Sequence, residues 1–301
     1  MDRFDAMRVF SRVVERRSFT LAAQDLGLPR STVTDAVKRL EARLGVRLLE
    51  RTTRHVGPTL DGLAFHRRCL ALVADVEDAE AAFSGARPRG RLRVDVHGTL
   101  ARHFVLPGLP AFLDAYPELE LHLSEGDRLV DLVREGIDCV LRVGNLQDSD
   151  MVARRVAMLE EVTCAAPAYL ARFGEPTRLD QLDGHRMVGF HSSATGAALP
   201  LEFSVGGTLR TLTIPATVTV NAAESLVAAA RLGLGLIQAP RYHLEHDFRR
   251  GTLIPLLTGF APAPSPVSLL HPRNRQLSPR VRVFMDWIVG RFGAMRSEPL
   301  S

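Results

Sequence analysis

Apolar residues recur at helical spacing through residues 1–45, and polar residues fill the positions between them. This pattern predicts three short helices. Ser18 is a good N-cap for the second helix, and Gly27 and Gly45 end the second and third helices. The apolar faces of the first and third helices consist of Met7, Phe10, Val13 and Val14, and of Val33, Val37, Leu40 and Leu44.

Residues 47–59 predict two short strands around a basic turn, after which Thr59 can cap a long helix that runs to about residue 87. One apolar stripe follows this helix, and its reverse face is charged, so the stripe needs a partner that covers it. Packing against its own domain is one alternative, and a dimer interface is the interpretation we favour. The stripe consists of Leu63, Leu70, Val73, Val76 and Phe83.

Beyond a linker at 86–90 the pattern changes to alternating strands and helices. A βαβαβ order implies a parallel sheet with helices on both faces. Further strands and helices after residue 160 indicate a second α/β lobe, with the chain crossing between the lobes twice. The first lobe should contain strands at 92–96, 119–123 and 138–143, with helices around 106–113 and at 129–134.

The composition is that of an ordinary soluble globular protein, because 46% of the 301 residues are hydrophobic and 24% are charged. The length suggests two domains, and the net charge of +4 permits nucleic-acid binding. We expect a cytoplasmic protein without a membrane partner, because neither a signal peptide nor an apolar run of about 18 residues is present. The cysteines have no metal or redox spacing and should be reduced packing residues; they are Cys69, Cys139 and Cys164.

A helix-turn-helix needs small residues where its helices approach each other and a glycine in the turn, which Ala22, Ala23 and Gly27 supply. Hydroxyl and basic groups on the third helix suit phosphates and base edges in a major groove. Residues 27–58 contain seven basic and three acidic side chains, and a merely solvated basic face is the alternative. The candidate DNA-binding residues are Arg30, Ser31, Thr32, Thr34, Asp35, Lys38 and Arg39 on the helix, and Arg51, Arg54 and His55 on the wing.

Longer motifs extend over nearly the whole chain. They include Phe19-Thr-Leu-Ala-Ala, Ser31-Thr-Val-Thr, Leu40-Glu-Ala-Arg-Leu-Gly-Val-Arg-Leu-Leu-Glu-Arg-Thr-Thr-Arg, Phe112-Leu-Asp-Ala-Tyr-Pro, Asp131-Leu-Val-Arg-Glu-Gly-Ile-Asp and Gly233-Leu-Gly-Leu. With these motifs the sequence resembles the LysR-type transcriptional regulators.

The resemblance implies an N-terminal all-α winged helix-turn-helix and a dimerising linker helix, followed by a two-lobed α/β effector domain like periplasmic binding proteins. Members of this family are commonly tetramers built as two dimers, so we expect a homodimer and a homotetramer. The expected domains are a DNA-binding domain at 1–59, a linker helix and hinge at 60–89, and an effector domain at 90–295. Within the effector domain, lobe I should cover about 90–162 and 266–295, and lobe II about 163–265.

Two residues depart from what the DNA-binding function leads us to expect. Pro29 stands where the family usually has a capping residue, although proline suits a first helical turn. Asp35 is unexpected on a face meant for DNA, where it either accepts from a cytosine amino group or only orients Arg39.

Ligands of open α/β sheets bind beyond the carboxyl ends of strands. Thr99 follows such a strand, and the resemblance places effector contacts there. Asn221 and Glu224 look like the capping-box start of another helix, whose free N–H groups suit a carboxylate effector; a purely structural cap is the alternative. The candidate effector-binding residues are Gly98, Thr99, Leu100, Val143, His191, Phe203 and Asn221.

The sequence therefore predicts a transcription regulator that binds double-stranded DNA and a small-molecule effector, with no cofactor and with RNA polymerase as a further candidate partner. The rival interpretations are a cytoplasmic small-molecule binding protein and an enzyme with an α/β fold. Gly233-Leu-Gly-Leu follows a predicted helix and precedes a strand, the reverse of a dinucleotide-binding loop. His243 and His246 share a predicted helix face, where we expect packing or surface roles, so we predict neither a metal site nor catalysis.

Overall fold

The computed structural model describes most of the chain as two compact units, the first formed mainly by residues 1–88 and the second by most of residues 89–301. The described residues are 1–51, 56–84, 87–126, 132–144, 151–193, 195–273 and 277–297. The α-helices are α1 (Arg3–Arg16), α2 (Phe19–Leu26), α3 (Arg30–Leu44), α4 (Leu60–Ser84), α5 (Gly98–Leu100), α6 (Leu109–Ala115), α7 (Leu132–Glu135), α8 (Pro167–Phe173), α9 (Ala223–Arg231), α10 (Arg241–Arg250) and α11 (Pro279–Ser297).

Strands account for much of the second unit and for a small hairpin in the first. They are β1 (Leu49–Arg51), β2 (Val56–Pro58), β3 (Gly90–Val96), β4 (Leu119–Glu125), β5 (Cys139–Val143), β6 (Met151–Leu159), β7 (Glu161–Ala165), β8 (Met187–Ser192), β9 (Ala197–Ala198), β10 (Leu201–Val205), β11 (Thr208–Leu212), β12 (Ala216–Val220), β13 (Ile237–Pro240), β14 (Ile254–Leu256) and β15 (Ser265–Pro272).

The first unit is a helix-turn-helix with a two-stranded wing. The Ser18 hydroxyl caps α2 by accepting from the Leu21 N–H at 3.3 Å. Gly27 ends α2 with a φ of +62°, a left-handed conformation that glycine adopts without the penalty of a Cβ atom. Helices α1, α2 and α3 bury a common apolar core, which includes Phe10, Ala22 and Val37. The apolar spacing in the sequence thus predicted this core, except that Leu44 is exposed, because it lies in the last turn of α3.

Helix α4 begins in close contact with the segment that leads into the wing. The Thr59 N–H donates to the Leu48 carbonyl at 3.0 Å, and the Thr59 hydroxyl accepts from the Gly62 N–H at 2.9 Å, as the sequence predicted for a cap. A Cβ atom at position 62 would lie 1.9 Å from the Leu48 carbonyl oxygen, so only glycine fits there. The phenyl rings of Phe10 and Phe65 pack with their centroids 5.7 Å apart and join α4 to α1.

Lobe I is built on a five-stranded sheet with the strand order β4-β3-β5-β15-β6. Strands β4, β3 and β5 are parallel, as the βαβαβ pattern predicted. The sheet as a whole is mixed, which corrects the prediction of a parallel sheet, because β15 is antiparallel to both β5 and β6. Strand β15 returns from the far end of the chain, and no local pattern in the sequence reports the direction of such a pairing.

The region after β3 is a composite helical run and not the single helix that the sequence predicted. It consists of α5, a π-helical turn at Ala101–Val105, a 3-10 turn at Leu106–Gly108, and α6. Pro107 and Pro110 have no N–H to donate, which interrupts the α-helical hydrogen bonding. Aromatic rings attach the run to α11, with centroid distances of 4.6 Å for Phe104–Phe292 and 4.7 Å for Phe112–Trp287.

Lobe II contains two three-stranded sheets, ordered β12-β8-β9 and β13-β7-β14, and the β10–β11 hairpin. A parallel bridge between Met187 and Leu236 connects the two sheets. Buried residues of α9 and α10, including Val227 and Leu244, share one core with buried residues of β7, β8 and β13.

The chain crosses between the lobes at Glu160, between β6 and β7, and again at 261–264, just before β15. The expected boundaries near 162 and 266 fall just inside β7 and β15, and the domain limits remain a prediction. In the described part of the chain, no helix is long and apolar enough to cross a membrane. The three cysteines are buried and form no disulfide, and burial raises the pKa of the Cys69 and Cys164 thiols to about 12.

Candidate functional site

Helix α3 presents a hydrophilic face on the side away from the core. Five of the candidate DNA-binding residues are exposed on it, namely Arg30, Ser31, Asp35, Lys38 and Arg39. Thr32 and Thr34 are half-buried, and the Thr34 hydroxyl donates to the Arg30 carbonyl at 2.9 Å. The Thr34 proton is therefore used within the helix, which leaves its oxygen lone pairs for other contacts.

Pro29 begins α3 without a side-chain cap. Its φ of −59° suits the entry to a helix, and its carbonyl accepts from the Val33 N–H at 3.2 Å. The first N–H groups of α3 thus donate no hydrogen bond to a capping side chain. Uncapped N–H groups at a helix N-terminus are well suited to a phosphate oxygen.

The wing is tied to α3 by a carboxylate. Glu41 Oε1 accepts from the backbone N–H groups of Leu48 and Leu49, at 2.9 and 3.1 Å. Arg51 is the last residue of β1, opposite Val56, whereas its side chain and residues Arg54 and His55 lie outside the described part of the chain. Glu41 is an acidic residue in a basic segment, and its role is to position the wing.

A second site lies where helical residues of lobe I meet α9 and α10 of lobe II. The hydroxyl groups of Thr99 and Tyr242 are hydrogen-bonded at 2.6 Å, which joins the two lobes directly. His97 Nδ1 lies 2.9 Å from the same Thr99 hydroxyl, and His103 Nδ1 donates to the Thr99 carbonyl at 2.9 Å. The His103 ring also packs edge-on against Tyr242, at a centroid distance of 5.1 Å.

An ion pair also connects the lobes at this site. Arg102 Nη1 donates to Glu224 Oε1 at 2.7 Å, and Arg102 Nη2 donates to Glu125 Oε2 at 3.1 Å. The second Glu224 oxygen lies 3.4 Å from His243 Nε2. One arginine of lobe I is thus held between a carboxylate of its own lobe and a carboxylate of lobe II.

The protonation states follow from burial and charge. Burial lowers the pKa of His243, although Glu224 acts in the opposite direction, so the imidazole is neutral at neutral pH. Partial burial raises the pKa of the Glu224 carboxyl, but His243 and Arg102 outweigh it, and the pKa lies below its usual value. A neutral His243 that donates from Nε2 to Glu224 has an unprotonated Nδ1, which is buried and has no hydrogen-bond partner among the described residues.

The structure distributes the other candidate effector residues over several places. Gly98 lies beside Arg102 and Glu125, and Val143 is half-buried at the end of β5. His191 is exposed on β8, opposite Ala198 of β9. Leu100 and Phe203 are completely buried in their lobes and Thr99 is only 2% exposed, so the effector contacts of these residues remain predictions.

Asn221 does not cap α9, which corrects the capping-box interpretation. The N-cap of α9 is Ala222, without a side-chain hydrogen bond, and Asn221 is exposed in the preceding bend. Glu224 points instead to Arg102 and His243.

The sequence pattern did not reveal His103 and Tyr242 as partners of Thr99, or Arg102 as the partner of Glu224. Arg102 and His103 follow Thr99 by three and four residues, a helical spacing that could have placed them beside it. His243 is buried while His246 is exposed, so the two histidines do not share a face. Within the described residues, no group of three or more His, Cys, Asp or Glu side chains could hold a metal ion.

Comparison with protein families accounts for both parts of the chain. Residues 4–63 match the family model for bacterial regulatory helix-turn-helix proteins of the lysR family. Residues 85–293 match the model for the LysR substrate binding domain.

Relatives match over nearly the whole chain. It is 36% identical over 292 residues to the uncharacterized HTH-type transcriptional regulator YhjC of Escherichia coli (strain K12), covering 96% of this chain and 98% of that protein. It is 33% identical over 297 residues to the HTH-type transcriptional activator AaeR of the same strain, covering 97% and 94%. The solved structure of CrgA, a LysR-type transcriptional regulator from Neisseria meningitidis, is similar with a TM-score of 0.60 and 31% identity over 96% of this chain and 98% of that one. The chain therefore belongs to the LysR-type family of transcriptional regulators, with a DNA-binding helix-turn-helix unit and a small-molecule-binding effector domain.

Proposed function

We propose that the exposed face of α3 reads an operator in the major groove, with the wing on the flanking backbone. The observation that carries this proposal is the exposure of Arg30, Ser31, Asp35, Lys38 and Arg39 on one side of α3. Arginine and lysine are suited to guanine edges and phosphates, and serine accepts or donates to either. The wing contribution comes from Arg51, Arg54 and His55.

The effector binds between the lobes, at the segment that begins with Gly98 and Thr99. Support comes from the meeting of polar groups of both lobes at this place, including Thr99 with Tyr242 and Arg102 with Glu224. A ligand that touches both lobes favours one closure state only by its differential affinity for the two states. The arginine there suits an effector that carries a carboxylate.

The active species is a homodimer joined through α4, and two dimers form a homotetramer. Support comes from the apolar residues that α4 exposes, among them Leu60, Leu63, Leu72 and Val76. A dimer places two recognition helices in successive major grooves, about 34 Å apart. Effector binding then changes the placement of the dimers on the operator, and with it the access of RNA polymerase; the function has no catalytic step.

A nuclease footprint of the purified protein on the DNA upstream of its own gene tests this function. We expect protection over several helical turns, with half-sites separated by multiples of about 10 base pairs. A genome-wide binding experiment in cells extends the test to distant operators. If neither experiment finds a sequence that is bound better than random DNA, the proposed operator recognition is wrong.

A further inference from the structure

We propose that Arg102 and His243 form a carboxylate-binding site between the lobes and that the protein's own Glu224 carboxylate occupies it, so that an anionic effector binds by displacing Glu224. The inference rests on the proposed effector site and names the chemistry of the ligand and the group with which it competes. It assigns to Glu224 the role of a tethered internal ligand.

The geometry of Glu224 is that of a bound carboxylate. Its two oxygens are divided between the lobes, with Oε1 at 2.7 Å from Arg102 Nη1 in lobe I and Oε2 at 3.4 Å from His243 Nε2 in lobe II. A ligand carboxylate in the same position would bridge the lobes in the same way. The site therefore recognises a carboxylate whether it is part of the protein or free.

The guanidinium group of Arg102 is oriented by Glu125 and not by Glu224. Glu125 holds Arg102 Nη2 at 3.1 Å, which leaves Nη1 directed at Glu224. Gly98 provides room beside this guanidinium, because a Cβ atom at that position would lie 3.7 Å from Nη1 and 3.3 Å from Glu125 Oε2. Removal of Glu224 thus leaves Arg102 held by Glu125, with one donor nitrogen available for an incoming oxygen.

Glu224 is a partner that a ligand can replace. The side chains of Arg102 and Glu224 are 48% and 46% exposed, and ion pairs in such solvent contact contribute little to stability. The contact with His243 is longer than a good hydrogen bond, although His243 is only 7% exposed. A better placed carboxylate can therefore gain more from Arg102 and His243 than Glu224 does.

Displacement of Glu224 couples binding to the relation between the lobes. The internal ion pair tethers α9 of lobe II to the π-helical turn of lobe I. A ligand that takes its place releases this tether and substitutes its own bridge, while the Thr99–Tyr242 hydrogen bond can remain. The apparent affinity for the effector is thus reduced by competition from Glu224, which is always present at a high effective concentration.

Chemical rescue with acetate tests the proposal, because acetate is the fragment that a Glu224→Ala substitution removes. Acetate binding is measured by line broadening of ¹³C-labelled acetate at constant ionic strength, on the full-length protein. We expect Glu224→Ala to bind acetate at least about tenfold more tightly than the wild type, in which the tethered carboxylate competes. The double variant with Arg102→Ala should lose this gain.

A matched control removes another arginine-paired glutamate of lobe II. Glu245 contacts Arg241 at 2.8 Å within α10, so Glu245→Ala deletes the same side chain from a pair that does not join the lobes. The proposal is overturned if Glu245→Ala gains acetate affinity equally, if Glu224→Ala gains none, or if the gain survives the loss of Arg102.

Two further measurements keep the test decisive. Glu224→Gln keeps the shape of the side chain but removes its charge, so it should also bind acetate more tightly than the wild type, even if Glu224→Ala does not fold. The operator footprint is repeated with each variant to show that its fold and DNA binding are intact. If the wild-type protein binds no operator sequence, the proposed function is wrong. The acetate comparison would still decide whether Glu224 is an internal ligand.

Discussion

Neighbouring glutamates at the crossover between the lobes have opposite surroundings. The Glu160 side chain is 64% exposed, whereas Glu161 is half-buried at the start of β7. Burial raises the pKa of the Glu161 carboxyl to about 7, with a smaller contribution from the negative charge of Glu202, while a hydrogen bond with Ser265 opposes the rise. Glu161 therefore gains or loses its proton near neutral pH, unlike an ordinary glutamate.

Glu161→Gln should reduce the dependence of stability on pH. The folded-state pKa of Glu161 is raised, so its contribution to stability is fully present below the unfolded pKa and is lost as the pH rises through about 7. The free energy of unfolding of the wild type should thus fall between about pH 5 and pH 8, by up to about 3 kcal/mol from this group. Urea unfolding at several pH values measures this fall, which Glu161→Gln should largely remove.

Glu160→Gln is the matched control, because this exposed side chain pairs with the partly exposed Arg241, at 3.5 Å. Its unfolding profile should follow that of the wild type. Equal pH dependence in Glu161→Gln and the wild type would show that Glu161 titrates as an ordinary glutamate.

Arg39→Ala should weaken operator binding, because Arg39 is exposed on the proposed reading face of α3. Loss of one base contact costs about 1–3 kcal/mol, which corresponds to roughly a ten- to hundredfold weaker complex. Fluorescence anisotropy with a labelled operator measures the affinity at several salt concentrations. Loss of a base contact changes sequence specificity, whereas loss of a phosphate contact lowers the slope of log affinity against log salt concentration by about one.

The control for Arg39 is Arg210→Ala, which removes the same exposed side chain from β11 in lobe II. Its operator affinity should equal that of the wild type. If both variants bind the operator equally well, Arg39 has no place in the interface.

At the scale of the element, the start of α4 depends on a backbone contact. Gly62→Ala should destabilise the protein by about 2 kcal/mol or more, because the new Cβ atom forces α4 away from the wing segment. The Leu48 carbonyl oxygen lies 1.9 Å from the position of that atom. Thermal unfolding of the full-length protein measures the loss, and operator affinity should fall with it since the wing is displaced.

Gly290→Ala is the corresponding control in α11, where the added Cβ would meet open space among the described residues beyond its own helix turn. In this exposed helical position alanine should stabilise the protein by up to about 1 kcal/mol. A Gly62→Ala variant as stable as the wild type would mean that α4 can shift without cost.

At the scale of the whole molecule, the proposed dimer depends on the apolar residues that α4 exposes, among them Leu72. Leu72→Glu should raise the dissociation constant of the dimer by about tenfold or more, because it places a charge in a desolvated interface. Sedimentation equilibrium measures the association, and the footprint on the operator should shorten or disappear with the dimer.

Leu209→Glu tests whether any exposed leucine would have this effect. Leu209 in β11 is 47% exposed and Leu72 is 49% exposed, so the two substitutions remove similar apolar surface. We expect Leu209→Glu to leave the association unchanged. A Leu72→Glu variant that associates like the wild type would place the dimer interface elsewhere.

The sequence by itself determined the elements of the DNA-binding unit. Caps such as Ser18, the turn at Gly27 and the helical spacing of Phe10 and Val13 act over a few residues, so they can be read locally. The same local patterns placed β3, β4 and β5 and predicted their parallel order. Thr99 was found from its position after β3 together with the resemblance to the family.

Only the tertiary structure decided which side chains meet at the junction of the lobes. Arg102 and Glu224 are 122 residues apart in the chain, and Thr99 and Tyr242 are 143 apart, so no periodicity connects them. Folding also buried Phe203, which the sequence had assigned to a ligand wall, and set β15 antiparallel to its neighbours. Local sequence fixes the elements because their energies depend on neighbouring residues, whereas long-range packing decides which faces are buried and which charges are paired.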